Sequence, residues 1–195
     1  MIPVAPVAEP CGFDERARRP GNAWLAKNEG VARPRDYWSP FRAVLADGFA
    51  DRCGYTAMFE PVGTVDHFRS YRTNPELAYE WANYRYVAAW INSAKKTSEV
   101  LDPYEVGEGW FEVLLPSLQL VATDKVPPER RALVEQTVKG LPIAHDERVL
   151  RQRRAWYKQY LEGHLSLDGL RRWAPLIAAA EEKRLMAEAA IGNDR

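Results

Sequence analysis

The amino-acid sequence predicts an α+β fold: an irregular arm at 1–40, a small strand–strand–helix (ββα) core with following strands at 41–125, and a mainly helical extension at 126–195. Three observations lead to that reading. The first forty residues mix Pro, Gly and charge with scattered aromatics, which suits extended or irregular chain. Two short β-prone runs then precede a stretch free of Gly and Pro. From about residue 127 onward, helical patterning dominates.

Trp24, Tyr37 and Trp38 give the arm rings with which to pack. Residues 38–46 predict a helix capped by Ser39, with Pro40 in the first turn and Gly48 as the stop. Tyr55–Phe59 and Thr64–Phe68 read as strands joined through Glu60-Pro61-Val62-Gly63, a natural hairpin. After a loop containing Asn74-Pro75, residues 81–96 predict a helix with Tyr84, Val87, Ala88 and Ile91 on one face. Trp110–Leu115 and Leu118–Val121 read as strands interrupted by Pro116. Helices are expected at about 127–139, 146–162 and 166–190, the last starting at Ser166 or Asp168 and ending at Gly192.

Composition narrows the functional classes. The 195 residues carry 27 Lys and Arg against 27 Asp and Glu, so a protein built mainly to coat nucleic acid is disfavoured, while local basic patches are not. Cys11 and Cys53 are too few for a disulfide framework or a four-cysteine zinc site and are expected as free thiols. The N-terminal apolar stretch is short, interrupted by prolines and preceded by no basic residue, which makes it a poor signal peptide. No apolar run approaches the roughly 20 residues of a membrane helix. The expectation is a soluble cytoplasmic protein without a membrane partner.

The informative segment is Val65-Asp66-His67-Phe68-Arg69, followed by Trp81-Ala82-Asn83 and then by Asn92-Ser93-Ala94-Lys95. It resembles the HNH (ββα-metal) endonuclease family, in the variant with Asn at the final position. The match covers residues 53–96, under a quarter of the chain. The resemblance implies a DNA endonuclease using one Mg²⁺ or Mn²⁺ ion, with His67, Asn83 and Asn92 at the three positions that name the family. Asp66 and Asn92 are then the metal ligands, hard oxygen donors suited to such an ion. A neutral imidazole can take a proton from water near neutral pH, the role implied for His67. Within that catalytic set, Asn83 suits a structural part, its amide tying loop to strand, and a helix N-cap reading is equally natural. Arg69, Arg72, Lys95 and Lys96 are the candidate DNA phosphate contacts. Asp66 and His67 should face opposite sides of a regular strand, so both can act only if the strand ends or bulges there.

Many family members brace this unit with zinc held by two Cys-x-x-Cys pairs. Here those positions are Cys53, Thr56, Ala88 and Ile91, so no structural zinc is expected, and apolar packing of Ala88 and Ile91 with Tyr55 or Trp90 should replace it. Small HNH proteins often work beside an ATPase in anti-phage defence, which implies DNA and an ATPase or other targeting protein as partners, in a defence or mobile-element setting. Two rival readings stand beside the nuclease: a non-catalytic ββα scaffold for a protein partner, and a helical DNA-binding protein that never cuts. The basic stretch Arg148, Arg151, Arg153, Arg154 and Lys158 reads first as a solvated or ion-paired helix face. His145 and His164 read as structural.

Overall fold

The computed structural model describes residues 1–193, and it is a mixed α+β fold with a helical C-terminal half. The chain begins extended and then coils through Asp14–Arg18 into helix α1 (Arg19–Leu25). The arm is therefore not irregular throughout. Pro20 sits in the first turn of α1, where its missing N–H is harmless. Phe13, Ala17 and Gly21, four residues apart, all turn inward.

A short turn at Ser39–Phe41 leads into α2 (Arg42–Gly48). Ser39 does not cap it. Asp36 accepts both the Ser39 backbone N–H, at 2.9 Å, and its hydroxyl, at 2.5 Å.

The ββα order is present, but with a different second strand. Strand β1 (Thr64–His67) pairs antiparallel with β2 (Tyr84–Val87), placing Asp66 opposite Arg85 and His67 opposite Tyr84. Helix α3 (Ala89–Lys95) comes directly after β2. The expected strand at 55–59 is a buried turn closed by a single bridge between Arg52 and Phe59, with Ala57 at φ +56°. The expected helix at 81–96 loses its first half to β2. Tyr84-Arg85-Tyr86-Val87 is β-prone, and all four residues are buried, so covered sheet faces outweigh the helical spacing.

The second hairpin, β3 (Phe111–Leu114) with β4 (Gln119–Ala122), lies where expected. Helices α4 (Pro128–Gly140), α5 (Glu147–Leu161), α6 (Leu167–Trp173) and α7 (Pro175–Asn193) complete the chain. The single helix expected at 166–190 is thus two. Pro175 has no N–H to donate and disfavours helical geometry at Ala174, which adopts φ −147°, ψ 65°. Ser166 caps α6 through its hydroxyl, and α7 continues past Gly192.

Two apolar clusters flank the β1–β2 sheet and cross the sequence boundaries at 40 and 125. One joins Cys53, Tyr55, Val87, Ala88 and Ile91 to β3, β4 and the C-terminal helices. The other is mostly aromatic: Phe13, Trp38, Phe41, Tyr79 and Trp81 cover Val65, Tyr84 and Tyr86. The strand carrying Asp66 and His67 is therefore held between the arm and the helical half.

Candidate active site

His67 ends β1 and is only 8% exposed. Its ring meets Trp38, Tyr71 and Tyr84 edge-on, with centroids 4.6, 5.0 and 5.0 Å away. Nε2 lies 2.9 Å from the carbonyl oxygen of Ala78. A carbonyl only accepts, so Nε2 carries the proton and Nδ1 keeps its lone pair, a tautomer assigned from the network. Burial is the main reason the imidazolium is disfavoured: the pKa falls from 6.5 to about 4, despite the carbonyl and Asp66 pulling the other way. His67 is thus a neutral, oriented acceptor at pH 7.

Asp66 points to the opposite face, as strand alternation requires, and β1 pairs regularly through both residues. Its carboxylate is 2% exposed; Oδ1 receives the Lys95 ammonium at 3.0 Å and Oδ2 the Tyr55 hydroxyl at 3.0 Å. Burial and the Asp66 charge hold the Tyr55 phenol far above its ordinary range. Arg85, opposite Asp66 on β2, forms a second buried ion pair with Asp102 at 2.5 Å.

Lys95 is accordingly not a phosphate contact. Only 1% exposed, it also donates to the carbonyls of His67 (3.0 Å) and Phe68 (2.7 Å), so it ties α3 to the end of β1.

Asn83 is a clamp, the structural part that the sequence reading gave it. Its amide accepts from the Arg69 N–H (2.8 Å) and donates to the carbonyls of Arg69 (2.9 Å) and Leu77 (3.1 Å). It caps no helix, because the next element is β2. Asn92 lies on α3 and donates Nδ2 to the Val65 carbonyl at 3.2 Å, leaving Oδ1 without a protein partner among the described residues.

His67 and Asn92 line one cleft of about 690 Å³ with Arg72 and Lys96; Asp66 borders it as well, its carboxylate turned to Lys95 and Tyr55. Arg69 lies instead on a neighbouring depression with Thr73 and Glu99. The arm supplies Arg33, Asp36, Trp38 and Ser39 to the cleft wall, a contribution that sequence reasoning missed. Its only signal was the pair of aromatics at 37 and 38.

No protein-family model matches the chain, and no curated protein matches it. Among the described residues, no three His, Cys, Asp or Glu side chains gather around a point. On the cleft side a divalent ion would find one side-chain oxygen without a protein partner, Asn92 Oδ1; the two Asp66 oxygens keep lone pairs but are held by Lys95 and Tyr55. That donor set suits Mg²⁺, which keeps several waters and takes its remaining ligands from substrate phosphate.

Cys53, Thr56, Ala88 and Ile91 are all buried. Cys53, Ala88 and Ile91 share one apolar cluster with Tyr55; Trp90 packs against it, and Thr56 is buried nearby in sequence.

The basic stretch on α5 is largely engaged elsewhere. Arg148 pairs with Asp146, Arg154 with Glu147 and Lys158 with Glu162. Arg153 is buried and donates to the carbonyls of Leu118, Ile143 and Ala144; burial lowers its pKa to about 10. His145 and His164 are exposed and do not line the cleft.

Proposed function

We propose that the protein is a divalent-metal-dependent endonuclease of the HNH type that hydrolyses DNA phosphodiester bonds, with His67 as general base. The observation that carries this reading is the His67 arrangement: a neutral imidazole, fixed by one ring nitrogen to the Ala78 carbonyl, on a cleft it shares with Asp66 and Asn92.

His67 Nδ1 takes the proton from a water, and the Ala78 carbonyl, accepting from Nε2–H, holds the ring and steadies the imidazolium as it forms. The edge-on rings of Trp38, Tyr71 and Tyr84 prevent it from swinging away. A pKa near 4 makes a weak base, but a phosphate in the cleft favours the protonated ring and moves that value upward. Asn92 Oδ1 would hold the ion on the cleft side, with Asp66 joining it where the metal replaces Lys95 as the partner of its carboxylate; the ion would neutralise charge on the phosphate and the leaving 3′ oxygen. Asn83 keeps the loop around Arg69 and Leu77 closed, so that the Ala78 carbonyl stays under the imidazole.

One observation favours a second reading, a non-catalytic scaffold: Lys95 already neutralises Asp66. Cleavage of supercoiled plasmid by the purified protein separates the two. Nicking or linearisation with Mg²⁺ or Mn²⁺ that EDTA abolishes supports the nuclease. Folded protein that neither cuts nor binds metal through Asn92 leaves the scaffold. An ATPase or other targeting partner is part of the proposal as context, and a latent protein that cuts only when such a partner is added would reveal it.

A further inference from the structure

We propose that the N-terminal arm is a phosphate clamp for nucleic acid, with Arg33 binding the backbone together with Arg72 and Lys96; this rests on reading the cleft as a phosphodiester site. The starting point is unpaired charge. Arg33, Arg72 and Lys96 are exposed, line the His67 cleft, and make no side-chain hydrogen bond or ion pair among the described residues. The cleft has only two acidic residues, Asp36 and Asp66. Asp36 is engaged by Ser39, and Asp66 is neutralised by Lys95 behind the wall. In a chain of zero formal net charge, whose α5 cations are largely ion-paired or buried, this leaves a local positive surface around the imidazole.

The three cations come from three separate elements: the arm, the loop after β1, and the end of α3, where Lys96 sits at φ +52°. They are spread around the cleft rather than bunched on one helix face, as contacts to successive phosphates require. The arm is held in register by contacts close to the imidazole itself. Trp38 packs on His67, and the Tyr79 hydroxyl donates to the Arg35 carbonyl at 2.7 Å. Between α1 and those anchors, the segment carrying Arg33 also lines a second cavity of about 510 Å³, which shares Ala32, Tyr71 and Arg72 with the cleft. Arg33 is thus presented to solvent by a wall anchored on both sides.

Each phosphate contact adds about 0.9 to the slope of log K against log salt on duplex DNA. Raising salt from 50 to 200 mM should therefore weaken a three-contact site roughly 40-fold and a two-contact site roughly 12-fold. The experiment is fluorescence anisotropy of a labelled DNA duplex with the full chain in EDTA, where no cleavage intervenes. Arg33→Ala should bind more weakly and lower the slope by about 0.9. Arg35→Ala, a neighbour stacked on Tyr37 instead, should match the parent. An unchanged slope in Arg33→Ala overturns the proposal, as does a parent with no salt-dependent binding. The nuclease reading fails separately: a slope lowered by Arg33→Ala, with no Mg²⁺-dependent nicking by the parent, keeps the clamp and removes the nuclease. Full nicking with an unchanged slope does the reverse.

Discussion

Lys95→Met should destabilise the protein by about 3–5 kcal/mol, because it strands a buried carboxylate. The Lys95 ammonium makes three bonds, to Asp66 Oδ1 at 3.0 Å and to the carbonyls of His67 and Phe68 at 3.0 and 2.7 Å. Met fills the space of the alkyl stem but supplies none of them. Asp66, 2% exposed, would keep only the Tyr55 hydroxyl. For a chain of this size, each kcal/mol moves Tm by about 2–4 °C, so the loss corresponds to roughly 6–20 °C. Urea unfolding of wild type, Lys95→Met, Asp66→Asn and the double variant measures the coupling. The double variant should recover at least about 1.5 kcal/mol relative to the sum of the singles, since it leaves no unpaired charge. A Lys95→Met variant within about 0.5 kcal/mol of wild type would show that no buried charge had been stranded, because that is how an exposed side chain behaves. Lys95 would then return to the candidates for phosphate contact.

Three further outcomes are expected. The lowered His67 pKa means that the unfolded chain binds more protons between pH 6.5 and 4; the stability this group contributes is full above pH 6.5 and falls by up to about 3 kcal/mol as pH drops through that window. His67→Gln should lose that pH dependence in denaturant titrations, and an identical slope in both proteins would contradict it. Asn83→Ala orphans the Arg69 N–H and carbonyl, while the Leu77 carbonyl keeps the Glu80 N–H, a cost of about 2–4 kcal/mol in chemical denaturation; a neutral effect would remove its clamping role. Gly21→Ala places a methyl 2.5 Å from the buried Tyr79 ring. Overpacking of about 1–3 kcal/mol should outweigh the roughly 1 kcal/mol of helix propensity that Ala adds, so a stabilised variant would count against the close packing of α1 on Tyr79.

The α+β class, the second hairpin and the C-terminal helices were legible because their signals are local: alternation, caps and turn residues. Strand β2 was not. Tyr84, Val87 and Ile91 satisfy a helical spacing, and only the apolar cover on both faces of the sheet makes 84–87 extended. Pro175 is visible in the sequence, yet a helical pattern on both sides of it masks the break at Ala174. At the site, the placing of His67 and Asn92 on one cleft was readable from their order and spacing, and strand alternation already indicated that Asp66 would face the other way. The role of Lys95 was not, because a lysine near a helix end is usually solvated; its burial depends on Asp66 and Tyr55 arriving from elsewhere in the chain. The arm's place in the cleft was hidden for the same reason, since Trp38 and His67 are 29 positions apart and meet only through packing.

The most direct measurement is the rate of plasmid nicking with Mg²⁺ or Mn²⁺ by wild type and His67→Ala, each shown to be folded by circular dichroism. Wild type should nick in a metal-dependent way, and the rate should fall by a factor of about 10² or more on loss of the general base. Nicking by folded His67→Ala at the wild-type rate would place the chemistry somewhere other than the imidazole beside Ala78.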